Sequence, residues 1–174
     1  MWTQSPNNKW SARRLTRLAL LTAIALSVFI VESYIPNPLT AALPGAKLGL
    51  ANVVTVYAMF ALGPADTLLV LLARIVLGSI FSGNMMALAY SLFGGIACYL
   101  AMLILRRLGT GQIWLCSCLC GAAHNAAQLL SAMIITSTAQ VVYYLPFLLL
   151  AGLAAGLFTG VCAQLLVTRL KLLP

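Results

Sequence analysis

Eight polar side chains stand out in this chain: Glu32, Lys47, Asn52, Asp66, Arg74, His124, Asn125 and Gln128. Glu32 and Asp66 are its only acids, set against ten Lys and Arg, one His and a composition that is 63% hydrophobic. Two isolated carboxylates cannot hold the magnesium that soluble-type prenyl or phosphoryl transfer needs. The sequence also has no G-x-x-x-x-G-K-[ST] loop, no G-x-S-x-G elbow and no Cys/His metal spacing. What this polar set can do is recognise. Arg74 and Lys47 offer charge, while Asn52, His124, Asn125 and Gln128 offer directional hydrogen bonds. The expectation is therefore a protein that is not an enzyme and uses no metal or cofactor. If it moves a solute uphill, a partner or coupled ions must supply the work.

Five cysteines, Cys98, Cys116, Cys118, Cys120 and Cys162, fall inside apolar stretches. Residues two apart on a helix point about 200° from each other, so Cys116, Cys118 and Cys120 cannot converge on one metal and read as small packing residues.

These groups must be positioned by apolar helices. Runs long enough to cross a bilayer fill the chain, at about 18–35, 49–62, 65–81, 86–105, 114–137 and 141–168, and the second and third are short for a hydrocarbon core of roughly 30 Å. The first run is longer than a usual signal-peptide core, so it reads as a span. Lys9, Arg13, Arg14, Arg17, Arg106, Arg107, Arg169 and Lys171 fall on one side of a six-span topology, with Lys47 alone opposite. That asymmetry puts both termini in the cytoplasm and makes the formal net charge of +8 a topology signal, not a nucleic-acid footprint. The fold expected is all-α, a single six-helix integral membrane domain over 13–174, with residues 1–12 a flexible cytoplasmic N-terminus.

Depth along these helices puts Arg74 and His124 near the midplane, Glu32 in the outer third, Lys47 at the outer mouth and Asn52 below it. Ionisable groups at such depth normally face the bundle interior, pair with one another or line a wet cavity. Glu32 and Arg74 could form a structural ion pair. That pairing leaves Lys47 and His124 without an acid, which suits an anionic or strongly polar ligand. Ser117, Gly121, His124, Gln128 and Ser131 form one stripe on the fifth helix, with Asn125 beside it. For the two serines interhelical bonding is the better reading; for His124, Asn125 and Gln128 it is a ligand-facing cluster. The first connection, Pro36 to Lys47, carries three prolines and a Pro44-Gly45 turn. It is either a lid over the site or a connector. Ala19 and Ala23 put small residues on one face of the first helix, and Gly152, Gly156 and Gly160 make a packing seam on the sixth. Tyr143 and Tyr144 suit the outer rim of the site or an interfacial aromatic belt.

Several segments carry a family likeness: Pro44-Gly45-Ala46-Lys47-Leu48-Gly49-Leu50-Ala51-Asn52; Arg74 with Gly78-Ser79 and Phe81-Ser82-Gly83; Ser91 with Gly94-Gly95; His124-Asn125-x-x-Gln128; Tyr143-Tyr144-Leu145-Pro146; and Thr159-Gly160. Together they resemble the bacterial membrane family labelled heptaprenyl diphosphate synthase component I, also called the Gx transporter family. That family is similar to the substrate-binding S components of energy-coupling-factor transporters. The resemblance implies an S-component-like bundle in the bacterial cytoplasmic membrane that captures a small polar, anionic or quinone- or isoprenoid-related micronutrient from outside. It also implies docking through Ala19 and Ala23 on a transmembrane coupling subunit served by two cytoplasmic ATPases. Lys47, Asn52, Arg74, His124, Asn125 and Gln128 are the expected substrate-binding residues. The synthase label keeps a second expectation open, a non-catalytic membrane partner in polyprenyl diphosphate or menaquinone synthesis or in a membrane redox complex.

Overall fold

The computed structural model describes residues 11–35, 47–109 and 112–171. Most of the expected flexible N-terminus, and the proposed lid apart from Lys47, lie outside the described residues. The described chain is all-helical, as expected. Helix α1 spans Ala12–Tyr34, α2 Asn52–Ala61, α3 Pro64–Ser82, α4 Met85–Arg107, α5 Ile113–Thr136 and α6 Leu145–Lys171, the last preceded by a 3-10 turn over Ala139–Tyr144.

Local chemistry sets these limits. The Ser11 hydroxyl accepts the Arg14 N–H at 3.3 Å and opens α1. Pro64 starts α3 with Asp66 in its first turn, favourable beside the positive end of a helix dipole. Asn84 caps α4 by accepting from Met86 and Ala87, and that helix closes with Arg106 and Arg107 in its last turn. The sixth helix begins later than its apolar run because Pro146 suits the first turn of a helix but not its interior.

Among the described residues five helices are long and apolar enough to cross a membrane. The exception is α2. Its ten residues rise about 15 Å, half of a hydrocarbon core, so it is shorter than the 49–62 span expected. Residues 47–51 precede it without helical structure, with Gly49 at φ +85.

The start of α1 and the last turns of α6 lie at the same end of the bundle. There Arg14 near the start of α1 pairs with Asp66 near the start of α3. The Arg106 guanidinium donates to the Met59 carbonyl in the last turn of α2 at 2.8 Å. Val56, Met59, Met102, Ile113, Ala163 and Val167 join four helices in one core cluster. The outer surface is apolar where lipid would lie, with Leu20, Ile80 and Leu165 each more than half exposed. This is a multi-pass membrane protein.

The most extensive helix pairing is α5 against α6. It is a glycine seam, as the sixth-helix pattern implied. A Cβ on Gly121 would sit 2.1 Å from the Gly152 carbonyl oxygen, and one on Gly156 would sit 2.4 Å from the Ser117 oxygen. The backbones therefore touch directly, the close approach that small residues allow where no hydrophobic effect drives helices together.

Candidate ligand-binding site

Helix α2 starts in the middle of the bundle, so the chain leading to it is non-helical backbone at depth. Such backbone is tolerated in a membrane only where protein or water satisfies its polar groups. Glu32 supplies one partner. Its Oε1 accepts the Gly49 N–H at 2.7 Å, and Glu32 is 6% exposed. Gly49 is required for a second reason besides its positive φ, because a Cβ there would lie 2.8 Å from Asn52 Nδ2 and 3.3 Å from the His124 ring.

At the head of α2 four of the expected site residues meet. Arg74 Nη2 donates to Asn52 Oδ1 at 3.2 Å. Asn52 Nδ2 lies 3.3 Å from His124 Nδ1, and Gln128 Nε2 lies 2.9 Å from His124 Nε2. All four side chains are at most 5% exposed. One chain of polar contacts thus runs from α3 through α2 into α5. Gly94 on α4 makes room for it, since a Cβ at that position would fall 2.7 Å from the imidazole. Among the described residues four buried side-chain atoms have no hydrogen-bond partner: Arg74 Nε and Glu32 Oε2 at this entry, Thr55 Oγ1 on α2 and Asn125 Oδ1 on α5. Native proteins seldom leave such atoms orphaned, so a site that does so invites a guest.

The structure separates the other expected site residues from this chain. Asn125 sits one position, about 100°, around the helix from His124 and faces α6, where its Nδ2 donates to the Leu148 carbonyl at 2.8 Å. Lys47 stands above the cluster. Its ammonium donates to the Phe29 carbonyl at 3.2 Å and Ser33 Oγ at 3.1 Å, and lies 3.1 Å from the centre of the Phe29 ring. The expected Glu32–Arg74 ion pair is not made. The carboxylate is bonded to backbone and the guanidinium to an amide, because the non-helical entry to α2 has a bare N–H to satisfy. Burial holds the Lys47 ammonium down to about 8, with Glu32 opposing that fall and Arg74 adding to it.

Of the two stripe serines expected to bond between helices, Ser117 does so and Ser131 instead bonds within its own helix. Ser117 Oγ lies 3.0 Å from Thr159 Oγ1 across the α5–α6 seam, and Ser131 donates to the Gln128 carbonyl on its own helix. A pocket of about 10 Å³, with room for at most one water molecule, is bordered by Gly49, Asn52, Cys98, Ser117 and Thr159. Sequence reasoning missed the roles of Gly49, Gly94 and Thr159. All three stood in the segments that carry the family likeness, but nothing in their local pattern says what they touch.

The model of one protein family, described as heptaprenyl diphosphate synthase component I, matches residues 21–166. The chain belongs to that family. The match spans α1 through nearly all of α6, so the site built by α1 to α5 lies within the family's shared region. No curated protein matches this member of the heptaprenyl diphosphate synthase component I family, and neither does any solved structure.

Proposed function

We propose that this chain is the substrate-binding component of an importer of the energy-coupling-factor type, taking a small anionic or strongly polar solute from the side opposite the basic end. The observation that carries this reading is a buried guanidinium with an unpartnered Nε at the head of a half-length helix. Discontinuous helices whose positive ends point at mid-membrane are a recurring way to hold anionic solutes in transporters. On this reading Arg74 supplies charge, and Asn52, His124 and Gln128 supply hydrogen bonds. Lys47 guards the entrance, and Asn125 acts through the α5–α6 seam. The basic end faces the cytoplasm of a bacterial inner membrane, where a coupling subunit and two ATPases supply the work.

Lys47 gives the reading a pH signature. Below about 8 the ammonium is charged and favours an anion, and above that value it is neutral. Solute affinity should therefore fall severalfold between pH 7 and pH 9, and Lys47→Gln should flatten the profile. A profile unchanged by that substitution would remove Lys47 from the entrance.

Ala19 and Ala23 lie exposed on α1, open to a partner helix. Ala19→Trp is expected to cost the coupling subunit in co-purification while leaving solute binding intact; equal loss of both would count against docking there.

The family description favours a second reading, a non-catalytic membrane component beside a prenyl diphosphate synthase. The two separate on what accompanies the protein. With a tag at its C-terminus and gentle solubilisation from native membranes, the importer reading expects a coupling subunit with a pair of ATPases. Recovery of a soluble prenyl synthase or redox proteins without ATPases would replace it with the second.

A further inference from the structure

Three charged side chains crowd the entry to α2, yet no two of them form an ion pair. Glu32 binds the Gly49 N–H, Arg74 binds the Asn52 amide, and Lys47 binds a carbonyl, a hydroxyl and a ring. In a poorly polarisable interior opposite charges within reach normally collapse onto each other. Here the Glu32 carboxylate is spent instead on the last turn before a half-helix, with its second oxygen and Arg74 Nε both unpartnered. Counting Lys47, Arg74 and Glu32 leaves one positive charge uncompensated at this level of the bundle.

We propose that Glu32 is a tethered stand-in for the ligand's own carboxylate. Resting on the solute-binding reading above, this names the substrate class as a monocarboxylate. On binding, the ligand takes the Gly49 N–H from Glu32, supplies the acceptor that Arg74 Nε lacks and cancels the residual charge. Glu32 is thus an internal competitor that sets how tightly the solute is held, and it prevents the positive site from standing empty in an apolar bundle.

The test uses the full-length protein in nanodiscs, with acetate, hexanoate and dodecanoate as probes and their uncharged amides as controls, read by thermal stabilisation. Glu32→Ala is expected to be stabilised at about tenfold lower carboxylate concentration than the native protein, with Glu32→Gln between the two. The amides should have no effect, and Arg74→Gln should abolish the response in either background. Should Glu32→Ala fail to fold, Glu32→Gln carries the comparison, because its amide oxygen still accepts the Gly49 N–H. A response to acetate and hexanoate marks a water-borne acid, and one confined to dodecanoate a lipid-borne acid; both sustain a carboxylate ligand. A weaker response in the Glu32 variants than in the native protein would make Glu32 a direct ligand contact and overturn the proposal. An equal response to acids and amides would overturn it too. Failure of the solute-binding reading looks different: no probe stabilises any variant, and the native protein carries no solute out of its membrane.

Discussion

Gly121→Leu is expected to leave no correctly packed protein in the membrane. Even the single carbon of an alanine at this position would sit 2.1 Å from the Gly152 carbonyl oxygen and 2.9 Å from the Gly156 Cα, and both are backbone atoms that no rotamer change can move. The helices must separate, and the separation spreads. Ser117 then loses Thr159, Asn125 loses the Leu148 carbonyl, and the contact of Cys118 with the Leu153 carbonyl goes with them. Overpacking a soluble core typically costs about 1–3 kcal/mol, and a four-carbon side chain against backbone should exceed that range. Expression with detergent-resistant monodispersity, read by fluorescence-detected size exclusion, should fall to background for Gly121→Leu. Leu119→Gly, on the lipid-facing side of the same helix, should behave nearly as the native protein does. Normal folding of Gly121→Leu would mean that the seam is looser than described.

Arg74→Gln should insert and fold but lose solute binding by about 100-fold or more, the range expected when one partner of a buried charged contact is removed. Gln keeps a neutral amide on α3 but is too short to replace the guanidinium at Asn52 Oδ1, while the Asn52–His124 and Gln128–His124 contacts do not involve Arg74 and persist without the charge. His124→Ala should reduce binding as well, because Asn52 and Gln128 both rest against its ring. A structural brace predicts the reverse pattern. Under it Arg74→Gln would unfold the protein, and His124→Ala would leave binding untouched.

The six helices were legible because a bilayer leaves the chain almost no other choice, so an apolar run between Pro, Gly and Arg is already a helix with limits. The basic end was legible for the same reason, since Arg13, Arg14, Arg17, Arg106 and Arg107 cannot rest among lipid tails. Half of the site was legible too: the stripe through His124 and Gln128 follows from helical period alone. The rest depends on where α2 starts. Leu48-Gly49-Leu50-Ala51 reads as the opening of an apolar helix, and nothing local says that Gly49 turns with positive φ and gives its N–H to a carboxylate 17 residues earlier. Glu32 therefore looked free to pair with Arg74. Asn125 looked like a member of the cluster because it adjoins His124 in sequence, yet one step around a helix was enough to face it to another neighbour. Asp66 offered no hint that its partner is Arg14, a contact 52 residues long in sequence and made across two helix starts.

The most direct measurement is the solute that the protein carries. Native protein, Arg74→Gln and His124→Ala would be purified in parallel from native membranes, denatured, and the released small molecules identified by mass spectrometry. The account predicts one small acid, near one per chain, from the native protein and its loss from both variants. Native protein that releases nothing beyond lipid, or releases the same molecules as the two variants, would contradict it.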